Sequence, residues 1–398
     1  MSSVKNNITM NYGFEFISNL NFTQALWVSY LAFKGLTLVE IGLCESVFHI
    51  ASLVFEVPTG IIADRFGRKL SRILGICCKI LYLSLLLLVN NFVFAMFSFV
   101  FAALSYNLES GADSAFVYDS LLENGTHEHF PKIQGYREII FQTASLVGIM
   151  TGGLLADVSY TLAISASIGI FALGFLIALF FKEPRVIESI EKITMKELVK
   201  TSLLTLKNQP RLAGLMGYSA LFLSVSATFF FYLSPYLRGL GYSLTMISLW
   251  YMINSVGSII ASLMVSKMIK KFDLKLVLYA SLIMTLTFVF LPILPWGTLA
   301  FFFMGAFESI LYVMMVHHIN RQIGSKVRAT ILSVNAMAYS VIMAIMFPVF
   351  GAIGDRYGLR LAFTLMAILM ACFVVGFGLW QRRGSLTGPR FFDIIDKK

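Results

Sequence analysis

The sequence predicts an all-α integral membrane protein of about twelve transmembrane helices, arranged as two six-helix bundles related by a pseudo-twofold axis. Three observations lead there. The 398 residues are 58% hydrophobic and only 13% charged, with a mean hydropathy of +0.80, whereas a soluble domain of this length must carry far more charge on its surface. Apolar runs of roughly twenty residues recur along the chain, each long enough for a ~30 Å hydrocarbon core. These runs are continuous rather than alternating, which argues against strands. Finally, short motifs recur between the two halves at nearly one offset.

The first half holds apolar spans at 11–33, 38–63, 69–91, 93–121, 133–157 and 160–182. Span one carries Glu15, Asn19 and Thr23 at four-residue spacing. On a continuous helix this is a polar stripe that must face protein or a water-filled cavity. Span two is followed by the Gly, Asp and Arg-rich turn from Gly60 to Lys69, in which Gly60 and Gly67 are expected to permit tight turning and close helix approach. Span three carries Lys79 roughly 15 Å into the membrane by helical rise.

Span four holds Glu109 and Asp113, four residues apart on one face. Counting 1.5 Å per residue from Leu121 puts them roughly 12–18 Å deep. A charge at that depth costs about 2.5–3.5 kcal/mol even on lenient insertion scales. Holding a glutamate half-protonated at neutral pH costs about 3.7 kcal/mol. The two figures are comparable, so proton uptake is a realistic response to burial, and one or both acids become candidates to bind a proton or a cationic solute. Lys79 is the expected intramembrane partner of Asp113, Glu109 or Glu56; with one lysine and three carboxylates, at least one acid is left over. Span five carries Gly148, Gly152 and Gly153 at a spacing that suits close helix packing.

The polar stretch from Lys182 to Arg211 separates the halves, and 194–206 reads as an amphipathic helix lying on the membrane surface. The expected domains are therefore 1–182, a linker at 183–210, and 211–398. The second half holds spans at 211–237, 243–267, 272–293, 295–318, 327–353 and 358–381. Register with the first half appears here: the Leu-Glu-Ser run at Glu109 is matched by the Phe-Glu-Ser run at Glu308, and Gly153 to Asp157 by Gly351 to Asp355. Two matches at nearly one offset indicate an internal duplication of six helices. Glu308, the lone acid near the middle of span ten, is a cavity candidate by its relation to Glu109. Tyr232, Tyr251, Asn254, Tyr312, Asn335 and Tyr339 are further candidates to line the second-half cavity.

The formal net charge of +10 raises the question of a nucleic-acid partner, but its placement answers it. Lysine and arginine concentrate at even-numbered junctions and the tails, which the positive-inside rule assigns to the cytoplasm. Arg65, Lys69, Arg72 and Arg137 are read as part of this topological signal. The four cysteines all fall in apolar spans, with no metal-ligand spacing. No phosphate-cradling loop or catalytic triad is legible. Neither enzyme activity nor a cofactor or metal is expected.

Gly60 to Lys69 closely resembles the signature loop of the major facilitator superfamily. Gly148, Gly152 and Gly153 are similar to the glycine motif of that superfamily's antiporters, with Ile149 where proline is usual. The stretches 110–113 and 118–121 look like those of bacterial multidrug-exporter-like members. The resemblance implies a secondary transporter in which Asp64 and Arg68, with Asp119, form an ion-pair latch in the cytoplasmic gate. It further implies a bacterial inner-membrane location with both termini cytoplasmic, and a monomer working on small-molecule substrates and protons within the lipid bilayer. Proton-coupled efflux of small amphipathic or cationic organic compounds is the leading expectation. A proton-coupled importer or facilitator of a sugar, peptide or siderophore is the alternative, and a non-transporting membrane sensor a third.

Overall fold

In the computed structural model the chain is described for residues 2–185, 207–290, 297–323 and 328–386. The amphipathic linker helix expected at 194–206 lies outside the described residues. The described residues form α-helices connected by short turns: α1 Ser2–Asn19, α2 Trp27–Phe33, α3 Leu38–Phe66, α4 Arg68–Leu87, α5 Phe92–Glu123, α6 Phe130–Val158, α7 Tyr160–Leu179, α8 Pro210–Gly239, α9 Leu244–Phe290, α10 Gly297–Arg321, α11 Arg328–Tyr357 and α12 Leu359–Leu386. Among the described residues, ten helices are long and apolar enough to cross a membrane.

Local chemistry fixes where these helices start. Thr37 and Glu40 form a reciprocal capping box at α3, Thr37 Oγ1 accepting from Glu40 N and the Glu40 carboxylate from Thr37 N. Asn91 caps α5 and Ser159 caps α7 through backbone N–H groups. Pro210 opens α8, where a missing N–H costs nothing.

Two expectations are corrected. Span one is not one helix: α1 ends at Asn19 and α2 starts at Trp27. The Asn21 side chain accepts from Thr23 N and Thr23 Oγ1, offering the backbone a turn in place of helical bonds. The Glu15, Asn19 and Thr23 stripe is therefore broken after Asn19. Conversely, spans eight and nine are one helical run, α9, with no break across 267–275. No Gly or Pro occurs between Gly257 and Pro292, so nothing in the sequence interrupts the helical backbone.

The helices before residue 186 pack mainly with one another, as do those after 206. α3 and α5 exchange hydrogen bonds through Ser52 and Asn107, Ser52 Oγ donating to Asn107 Oδ1 and Asn107 Nδ2 to Ser52 O, both at 2.7 Å. α9 and α10 lie side by side, because Gly257 faces the Phe302 carbonyl and Gly305 the Asn254 carbonyl at van der Waals approach. The halves meet through α3 with α11, α6 with α9, and α2 with α8.

Candidate functional site

The site grows from the turn between α3 and α4. Gly67 has φ of +103°, a conformation open only to glycine. Just beyond it the Glu183 carboxylate accepts from Arg68 N at 2.6 Å and Lys69 N at 2.8 Å, capping α4. A Cβ on Gly67 would lie 2.5 Å from that carboxyl carbon. Gly67→Ala is thus expected to lower stability by about 1–3 kcal/mol; a melting temperature in detergent equal to that of the parent protein would contradict it. Arg68 Nη1 donates to Asp64 Oδ1 at 2.7 Å, and its Nε lies 3.8 Å from Asp119 Oδ2. All three latch candidates come together, within the first half. Gly60 does not join them: it sits mid-helix in α3, where a Cβ would meet nothing within 4 Å, so it provides neither a turn nor a close approach.

One turn further along α4, Arg72 is fully buried. Its topological assignment is therefore corrected. The guanidinium reaches three carboxylates: Asp113 at 3.1 Å, Glu109 at 3.4 Å and Glu15 at 3.5 Å. It also donates to Asn11 Oδ1, and its carbon sits 4.5 Å from the ring centre of Phe14, with Phe116 and Phe181 at 5.3 and 5.2 Å. Such an aromatic collar suits a delocalised, weakly hydrated cation. Arg137 of α6, also read as topological, is the second buried guanidinium. Its Nη2 pairs with Glu15 at 2.6 Å and with Asp113, while Nη1 donates to Gln134.

α1, α4, α5 and α6 thus bring Glu15, Arg72, Glu109, Asp113 and Arg137 into one cluster. Fully ionised, its three carboxylates and two guanidiniums leave one negative charge. Glu15 and Asp113 each touch both arginines, whereas Glu109 touches Arg72 alone, and the Glu109 side chain is 30% exposed. The Lys79 ammonium, within electrostatic range of Glu109 and Glu15, brings a third positive charge, and Glu109 is the carboxylate with the fewest direct ion pairs.

Lys79 takes a different partner from the one expected. Its ammonium donates to the Ser18 carbonyl at 2.6 Å and lies 4.5 Å from the Phe171 ring centre. The break after Asn19 leaves helix-end carbonyls unsatisfied, and the negative end of α1 takes the direct contact with the cation, which stays within electrostatic range of Glu109 and Glu15. Glu56 is exposed and makes no ion pair among the described residues. Asn19 donates back to the Glu15 carbonyl of its own helix at 2.8 Å.

Gly148 and Gly152 receive the broken segment of span one. A Cβ on Gly148 would lie 2.9 Å from Asn21 N, and one on Gly152 would overlap the Phe22 carbonyl. Gly153 instead faces Ser248 and the Leu244 carbonyl of α9. Beyond the break, Trp27 packs against Phe99, Phe231 and Phe347 with ring centres 5.2–6.0 Å apart, joining residues from both halves.

In the second half, Glu308 accepts from Ser226 Oγ at 3.0 Å. Tyr232 and Tyr251 are packing residues: the Tyr232 hydroxyl lies 2.9 Å from both the Leu38 and Phe347 carbonyls, sharing its one proton between them, and Tyr251 donates to the Phe230 carbonyl at 2.6 Å. Tyr106 of α5 and Tyr312 of α10 are within electrostatic range of each other, yet 58% and 55% exposed. They come from opposite halves of the chain. Helical spacing offered one sequence signal for the missed arginine: Arg72 and Lys79 lie seven apart, on the same face of α4.

Comparison with known proteins agrees with this architecture. The family model described as Major Facilitator Superfamily matches residues 8–341. The chain is 24% identical over 357 residues to the uncharacterized MFS-type transporter YxaM of Bacillus subtilis (strain 168), covering 87% of this chain and 88% of that protein. A crystal structure of a mutant of the nucleoside transporter NupG superposes with a TM-score of 0.82 at 14% identity, over 94% of this chain and 99% of that one. A bacterial homologue of the human lysosomal transporter Spinster, solved inward-facing and unoccupied, gives 0.76 at 14% identity, over 96% and 97% of the two chains. The family model's match over most of the chain's length shows that this chain belongs to the major facilitator superfamily.

Proposed function

We propose that this transporter works by alternating access, exporting small amphipathic or cationic organic molecules in exchange for protons. The bundles 1–182 and 211–398 rock about the cleft between them, within a single chain. The end holding Arg65, Arg68, Lys69 and Lys132 faces the cytoplasm in this reading, because basic residues are retained on that side. The opposite end, sealed around Trp27, is external, and the conformation is inward-facing.

The observation that supports proton exchange is the position of Glu109, the most exposed of the three clustered carboxylates and the one with a single direct ion pair. A proton on Glu109 removes one negative charge from the cluster. An organic cation beside Glu109 needs the ionised carboxylate, so proton and cation exclude each other, and that exclusion is what exchange requires. Glu308, held by a serine hydroxyl, supplies a second carboxylate on the other bundle.

The test is transport of fluorescent organic cations in proteoliposomes under an imposed pH gradient. Glu109→Gln, fixed in the proton-loaded charge state, is expected to abolish gradient-driven movement. Undiminished gradient-driven transport by the Glu109→Gln, Asp113→Asn double variant would sink the assignment. Solute accumulating together with protons, rather than against them, would replace export by the nutrient-symport reading.

A further inference from the structure

The duplicated Gly-to-Asp motifs are not used by the charge cluster, yet their placement is specific. Asp157 lies in the last turn of α6, and its two carboxylate oxygens accept from Leu244 N at 2.7 Å and Thr245 N at 2.9 Å, the first residues of α9. Asp355 lies in the last turn of α11 and accepts from Leu38 N and Val39 N, both at 2.9 Å, the first residues of α3. Each aspartate therefore crosses from one half to cap a helix of the other. The third N–H at each helix start is met locally, Glu40 N by Thr37 Oγ1 and Met246 N by Ser243 Oγ. Thr37 and Ser243 are each preceded by a positive-φ glycine two residues earlier, Gly35 at +91° and Gly241 at +92°. The caps are thus duplicated in sequence as well as in geometry.

Physical chemistry makes these contacts directional. A carboxylate in the last turn of its own helix faces the negative end of that helix dipole and is disfavoured there. In this arrangement it is satisfied by charge-assisted hydrogen bonds from the N-terminus of the opposing helix, joined at Asp157 by the Thr245 side chain and the Arg238 charge, both from the same opposing half. The glycines before the aspartates permit that reach. A Cβ on Gly153 would lie 2.6 Å from Ser248 Cβ, and one on Gly351 would lie 2.7 Å from the Leu38 carbonyl carbon. Ser29 and Ser234, with hydroxyl oxygens 2.7 Å apart, and Tyr232, whose hydroxyl lies 2.9 Å from the Leu38 carbonyl, add further cross-half bonds at the same end.

We propose that Asp157 and Asp355 are a twofold clasp, positioning residues that set how often this end of the transporter opens. The proposal rests on the alternating-access reading, since a transporter must separate these helix pairs once per cycle. It does not depend on protons or on the solute. All four aspartate bonds break on opening, and each carboxylate then passes to water.

The experiment uses full-length protein in lipid nanodiscs, with Cys44, Cys77, Cys78 and Cys372 replaced by alanine. Ser248→Cys reports on the clasped end and Tyr312→Cys on the cleft, each by its rate of reaction with a charged maleimide. Asp157→Asn or Asp355→Asn is expected to raise labelling at position 248 about tenfold, and the pair more than either alone. Labelling at position 312 should fall as the opposite end closes. Unchanged labelling at position 248 in the double variant would overturn the proposal. A rise at both positions would overturn it too, because the aspartates would then hold the fold rather than a gate. Either failure leaves the proton-exchange reading untouched, since that reading concerns Glu109 and is measured by transport.

Discussion

Arg72→Met is expected to lower the stability of the folded protein by about 3–5 kcal/mol, the cost of leaving buried charge without its partner. Among the described residues, the fully buried guanidinium is the one group that pairs with Glu15, Glu109 and Asp113 together. Methionine fills a similar volume among Phe14, Phe116 and Phe181, so packing is largely kept and the electrostatic loss is isolated. Adding Asp113→Asn should recover much of the loss, because one fewer carboxylate then lacks compensation. Thermal unfolding in detergent measures both effects. If the single variant melts with the parent protein, the cluster contributes nothing to the fold and its reading as a buried charge network fails.

Gly152→Val is expected to prevent accumulation of folded protein. The added Cβ would overlap the Phe22 carbonyl, where backbone meets backbone and neither partner can swing aside. Overpacking of a well-fitted site costs about 1–3 kcal/mol when side chains can adjust, and here no side chain is available to do so. Gly169→Ala is the control, since a Cβ there meets nothing within 4 Å, and it should be neutral or slightly stabilising. Yield of monodisperse protein after purification distinguishes the two. Equal yields would show that span one does not rest on α6 as described.

Much of the candidate site was legible as residue types at helical spacing. Glu109 and Asp113 four apart and the small residues of span five depend on neighbours along the chain, and such spacing is readable from sequence, whereas the pairing of Asp64 with Arg68 came from the resemblance of the loop to the family's signature. The arginines were not. Arg72 and Arg137 stand near helix starts, where basic residues usually mark topology, and only the packing of α1, α4, α5 and α6 turns them inward. Lys79 went astray for a related reason: its carbonyl partner on Ser18 exists only because span one breaks, and the break depends on Asn21 and on two glycines more than 120 residues away.

By itself the sequence determined an all-helical membrane protein, its duplication, and the carboxylates to which a coupling role is proposed. Those properties follow from hydrophobic run length and periodicity within single helices and from motifs repeated along the chain. The tertiary structure decided which charges are buried together, where span one is interrupted, and that the two matching aspartates reach across to the other half. These are relations between helices. Their energies come from partners far apart in the chain, through desolvated ion pairs and helix-end dipoles that no local spacing encodes.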